Sequence, residues 1–178
     1  HPMAAATLAL VLALASLHPG GAGQASLPPL PSLGIDAYPP AARHAIAPAA
    51  RRAAAGPDAE AAVGALARVL HAWEQYEAAH LAYVRAQALA PGDFQWHYLD
   101  GLVLQRMVRH AEAAARFDRA VAADPRYLPA RVARAEALLD AGELDRSEPL
   151  FRALAAEPPA LPRAEFGLGR IEAARGRH

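Results

Sequence analysis

A chain of 178 residues, 54% of them hydrophobic, is long enough for one domain with a real core and is not disordered by composition. Eighteen bases, all arginine, stand against eighteen acids at a pI near 7.3, so the clustered positive charge that gathers nucleic acid or acidic membrane is missing. The absence of cysteine excludes a disulfide, a thiolate nucleophile, a zinc knuckle and a covalently attached c-type haem.

From Ala4 to Leu17 the sequence "AAATLALVLALASL" carries no charge. It is shorter than the roughly 20 residues that span a bilayer and matches the apolar region of a signal peptide. "GGAGQAS" follows and offers small residues for cleavage after Gly23 or Ala25. Residues 1–25 are therefore expected to be a cleaved signal peptide, with the chain exported to the periplasm or secreted and no stable membrane span in the mature form. Only "HPM" precedes the apolar run, and "IEAARGRH" ends without a helix-terminating signal, so the sequence reads as a fragment at both ends. Residues 26–40 are a proline-rich linker, predicted to lie extended over the next element. A segment over 41–58 follows, with a short helix at 41–55 bent at Pro48 and a turn at "GPD", where Asp58 is placed to cap the next helix. Arg43, His44, Arg51 and Arg52 in that helix read as a solvated face.

Beyond residue 60 a period emerges. Pro91, Pro125 and Pro159 are 34 residues apart, and a proline inside a helix costs about 3 kcal/mol, so each marks where one helical hairpin ends and the next begins. Helices are predicted over 59–72, 77–90, 94–107, 111–123, 128–141, 145–156 and 162–175. Within frames starting at Glu60, Phe94, Leu128 and Pro162, the eighth position is Ala67, Gly101, Ala135 or Gly169 and the twentieth is Ala79, Ala113 or Ser147. Small residues there let two helices approach at a crossing. Tyr83, Phe117 and Phe151 recur in the second helix, and Leu70, Leu104 and Leu138 in the first.

This pattern resembles the tetratricopeptide repeat, a 34-residue helix-turn-helix unit. The resemblance covers residues 60–178, as units 60–93, 94–127 and 128–161 and a partial unit 162–178, and implies an all-α fold, a right-handed superhelical solenoid of hairpins. Some positions depart from the family pattern. Asp100 and Arg134 stand where Leu66 and Leu168 keep the usual leucine, and Val63, His97, Arg131 and Glu165 replace the tryptophan often found at the fourth position. Leu154 stands where Ala86 and Ala120 sit earlier. The final helix has no second helix to pair with, so its apolar stripe is expected to favour self-association.

Catalytic chemistry has little to draw on. Beyond the signal segment there is no threonine, and the serines are Ser26, Ser32 and Ser147, the last at a crossing position where a small residue is needed. "HAWEQYEAAH" spaces His71, Glu74, Glu77 and His80 by threes and contains one Glu-x-x-His, but it crosses a predicted turn and lacks a second such motif. No catalytic site, metal site or cofactor is expected.

What remains is surface. The resemblance implies that the first helix of each unit lines a concave groove and that the ligand is a protein or peptide. Carried across, that face presents Arg68 and His71, then Tyr98, Leu102, Gln105 and Arg106, then Val132 and Glu136, then Phe166 and Arg170. The carboxylate clamp of chaperone-binding members is not expected, since its places hold Gly64, Arg68, Leu99, Pro129 and Ala133. The expected function is a non-catalytic scaffold; the alternatives are a docking module of a larger enzyme or redox protein continuing past His178, and an assembly element stacking between copies.

Overall fold

Apolar side chains three and four residues apart turn each repeat segment into a helix with one buried stripe. In α2 (Glu60–Ala72) the stripe is Val63, Gly64, Leu66, Ala67 and Leu70, and in α4 (Phe94–Arg106) it is Trp96, His97, Asp100, Gly101, Val103 and Leu104. The computed structural model describes residues 26–176, and among them the remaining helices are α1 (Pro40–Ala55), α3 (Tyr76–Leu89), α5 (His110–Ala123), α6 (Leu128–Asp140), α7 (Leu144–Leu154) and α8 (Leu161–Ala174). A 3-10 turn, Ile35–Ala37, precedes them, and no strand occurs among the described residues. Each helix packs chiefly on its neighbours in sequence, and α6 also reaches α8, which is the one-dimensional stacking of a solenoid. The residues 1–25, with the expected signal peptide, lie outside the described residues. Among the described residues no helix is long and apolar enough to cross a membrane.

The turn inside each hairpin is closed in the same way. The amides of Gln75, Arg109 and Glu143 donate to the carbonyls of Leu70, Leu104 and Leu138, each at 2.9 Å, across a residue in left-handed backbone conformation. Those residues are Glu74 (φ 57°), Val108 (φ 59°) and Gly142 (φ 80°), and Gly176 (φ 67°) follows at the same spacing.

At the crossings Ala67, Ala79, Ala113, Ala135 and Ser147 are fully buried, and the Ser147 hydroxyl donates to the Ala135 carbonyl at 2.8 Å, so the one polar group there is satisfied. A Cβ on Gly101 would sit 2.5 Å from the Phe117 ring, which is why that place takes glycine. The last unit corrects the expected register. Gly169 is exposed with open space around it, whereas a Cβ on Gly167 would meet the Phe151 ring at 2.5 Å. Helix α7 ends at Leu154 and residues 155–160 connect it to α8, a longer link than 90–93 or 124–127. The buried face of α8 is consequently Ala164, Gly167 and Ile171, one residue ahead of the 34-residue frame.

Asp100 and Arg134, out of place by pattern, are both neutralised. Asp100 is fully buried, with Oδ1 2.6 Å from His80 Nδ1, while Oδ2 accepts from Gln87 Nε2 at 2.9 Å and Arg116 Nε at 2.8 Å. One carboxylate thus ties α4 to both α3 and α5. Arg134 Nε lies 2.5 Å from Asp118 Oδ1, pairing α6 with α5.

Asp58 does not cap α2, whose N-cap residue is Ala59 with no side-chain bond. It instead accepts from Arg85 Nη2 at 3.0 Å, and the same buried guanidinium donates to the carbonyls of Pro57 at 2.7 Å and Pro28 at 2.5 Å. Arg85 is therefore the peg that fastens the proline-rich segment and the α1–α2 turn to α3. Leu30, Leu33 and Tyr38 pack against the first core cluster, alongside Ala42, Ile46, Ala49 and Ala53 of α1. The α1 helix runs on through Pro48.

Candidate functional site

The first helices of the units, α2, α4, α6 and α8, are linked by side chains along one face. At its N-terminal end, Arg68 donates to Gln95 Oε1 at 3.2 Å and stacks its guanidinium 4.7 Å from the centre of the Trp96 ring. Trp96 fills the space over Gly64, where a Cβ would come within 2.2 Å of its ring. This is one residue before the fourth position, where the pattern looked for tryptophan and found His97. His71 is half-buried, with Nδ1 3.4 Å from the Tyr83 hydroxyl and its ring edge-on to Tyr76 and Tyr83. Burial, followed by the positive charge of Arg106, pushes the His71 pKa down from its ordinary value, against a smaller opposing effect of Asp100. Burial likewise raises the Tyr83 phenol far above its ordinary value, so its hydroxyl stays protonated. Arg68, His71, Ala72, Tyr83 and Leu99 line an open pocket of about 340 Å³.

The middle is aromatic. Tyr98 meets Tyr127 edge-on at 5.1 Å and Phe117 at 6.0 Å, and Phe94 lies 4.8 Å from Tyr127. Burial and the neighbouring Tyr127 raise the Tyr98 pKa. Leu102 and Gln105 are half-buried, Leu102 against the cluster around Leu104 and Phe117, and Arg106 is exposed. Val132, expected on this face, is buried in the core instead. Toward the C-terminal end Arg163 pairs with Glu136 at 2.8 Å and Arg170 with Asp140 at 2.9 Å, while Phe166 is 71% exposed. Burial raises the Glu136 pKa against the pull of Arg163.

The other candidates do not converge. His71 turns to Tyr83 and His80 to Asp100, with Glu74 in the turn between α2 and α3. Among the described residues no group of three or more histidines and acids is placed to hold a metal. His97, expected on the surface or in the groove, is buried with Nε2 3.2 Å from the Pro91 carbonyl. Arg43, His44 and Arg51 border a shallow depression on α1 around Ala47 and Pro48.

A family model described as tetratricopeptide repeat matches residues 98–162 and 132–178. The chain is a tetratricopeptide-repeat protein. Its solved likenesses agree in fold. The crystal structure of YrrB, described as a TPR protein with an unusual peptide-binding site, has a TM-score of 0.70 at 21% identity, covering 78% of this chain and 71% of that one. Two MamA structures also match: MamA MSR-1 C2, with a TM-score of 0.56 at 19% identity over 74% of this chain and 70% of that one, and the MamA RS-1 ArsTM double mutant, with 0.62 at 16% over 76% and 86%. No curated protein matches the chain. Tetratricopeptide repeats with such neighbours support a protein-interaction scaffold.

Sequence reasoning missed several contributors to this tetratricopeptide face. Tyr127 and Gln95 flank the helix starts, and Arg163 and Asp140 act as partners of predicted residues rather than as predicted residues. Aromatics at the hairpin junctions, Phe94 and Tyr127, were the available signal.

Proposed function

We propose that these repeats are a non-catalytic scaffold that holds an extended segment or helix of another protein along α2, α4, α6 and α8. The observation that carries this reading is the half-exposed Tyr98, packed edge-on against Tyr127 and flanked by the exposed Arg106. Aromatic and arginine side chains dominate interface affinity, because they bring large contact area at little entropic cost and charge-assisted hydrogen bonds. The peptide-binding site named for YrrB is consistent with this use of the fold. The test is to replace Tyr98 and Arg106 together by alanine and compare co-purified proteins by quantitative mass spectrometry. Depletion of a defined partner is expected; unchanged recovery of every partner would reject the assignment.

Export belongs to the same proposal, supported by the uncharged run from Ala4 to Leu17. The mass of the chain recovered from the producing cell tests it: removal of residues up to Gly23 or Ala25 is expected, and a retained leader in the cytoplasm would reject it.

A further inference from the structure

The two halves of the groove differ in how their charges are met. Between α6 and α8 each acid has its own cation, Glu136 with Arg163 and Asp140 with Arg170. Between α2 and α4 the cations stand without counter-charge. Arg68 is engaged by a neutral amide and an indole face, and Arg106 forms no ion pair among the described residues. The nearby carboxylate, Asp100, is fully buried and already bound by His80, Gln87 and Arg116. An open pocket lies among these groups, floored by Leu99 and bordered by His71 and the Tyr83 hydroxyl.

Resting on the groove reading above, we infer that this half seats the carboxylate of an aspartate or glutamate side chain within an extended partner segment, which then continues with an apolar residue over Tyr98 and Tyr127. Two arginines in a partly desolvated pocket present a positive potential that an anion relieves, and a guanidinium binds a carboxylate with paired, charge-assisted hydrogen bonds. A chain-terminal carboxylate is a poorer match, because the positions that would clamp one hold Gly64, Leu99, Pro129 and Ala133. A carboxylate set among Arg68, His71 and Arg106 also opposes the charge that now disfavours protonation of His71. The other groups near that ring are Asp100 across from α4 and the phenols Tyr76 and Tyr83 of α3. Binding is therefore accompanied by proton uptake at His71 and tightens as pH falls from 7.5 toward 5.5, where an acidic side chain is still ionised.

The experiment is selection of an unphosphorylated random dodecapeptide display library on the full chain, followed by affinity measurement of the selected peptides. Enrichment of Asp or Glu is expected two or three positions before an apolar residue. Replacing that acid by its amide, or Arg106→Gln in the protein, weakens binding about tenfold, whereas the two changes together weaken it little further. Arg106 is exposed, so its loss does not threaten folding, and Arg68→Lys restores part of the affinity that Arg68→Gln removes. The His71 ring resonances titrate at higher pH with the peptide bound than without it. Peptides selected without acidic enrichment, yet lost on Tyr98→Ala, would leave the groove standing and overturn the carboxylate site. Selected peptides indifferent to Tyr98, Arg68 and Arg106 would overturn both.

Discussion

Val108 sits 34 residues after Glu74, and both hold left-handed backbone, φ 59° and 57°, at the hairpin turn where Gly142 stands in the next unit. A β-branched residue is strained there because its side chain crowds the following carbonyl, at a cost of about 1–2 kcal/mol, whereas glycine adopts the region freely. Val108 is 72% exposed, so little packing is lost on removing it. Val108→Gly is expected to stabilise the chain by about 0.5–1 kcal/mol, the strain relieved less the extra freedom glycine has when unfolded. Gly142→Val should cost about 1–2 kcal/mol. Urea unfolding of both variants checks this, and a destabilised Val108→Gly chain would contradict it.

Asp100 predicts an effect of the opposite kind. Its carboxylate is fully buried with three partners, and removing it leaves the Arg116 guanidinium and the buried Gln87 amide without an acceptor. Breaking a buried charge pair from one side costs about 3–5 kcal/mol in general; with Arg116 one-third exposed, Asp100→Ala is expected at about 2–3 kcal/mol. Gln87→Ala, which deletes one neutral donor, should cost about 1–2 kcal/mol. Chemical denaturation measures both, and a loss below 1 kcal/mol for Asp100→Ala would mean that the network contributes no stability.

The register of the last unit can be read from two glycines. Gly167→Ala drives a methyl into the Phe151 ring and should cost about 1–3 kcal/mol, while Gly169→Ala adds a methyl in open space on a helix and should stabilise by about 0.5–1 kcal/mol. Melting temperatures moving the other way for the pair would restore the 34-residue frame in α8.

These glycines mark the limit of what sequence could say. The helix positions and the solenoid followed from three in-phase prolines and small crossing residues, since both act through local sterics that a pattern records directly. Asp100 read as a lapse because its partners are 20, 13 and 16 residues distant on two other helices, and pairing across helices leaves no spacing rule to recognise. The shift in α8 was hidden by Gly169, which kept the frame by identity while the longer 155–160 connection turned a different glycine inward. Of the groove residues, Arg68, Tyr98 and Arg106 could be placed on one face by phase. Their charge state could not, because it depends on whether a neighbour such as Asp140 happens to answer each arginine.

His97 supplies the pH dependence. Its Nε2 faces the Pro91 carbonyl, which can only accept, so the ring carries its proton there, and the buried Nδ1 has no partner. Burial, opposed by the bond to Pro91, lowers the His97 pKa from its ordinary 6.5, with Arg116 and Arg119 adding to the depression. A histidine with a lower pKa folded than unfolded binds fewer protons in the native state, so stability is retained above 6.5 and declines as pH falls through that value toward the folded pKa. His71 is shifted in the same direction and adds to the decline. His97→Gln keeps a donor for Pro91 without a group that titrates. The expected outcome is a shallower fall in denaturation midpoint between pH 7.5 and 5.5 for His97→Gln than for the parent chain. Parallel curves for the two proteins would show that His97 protonates as easily folded as unfolded and would remove it from the acid response.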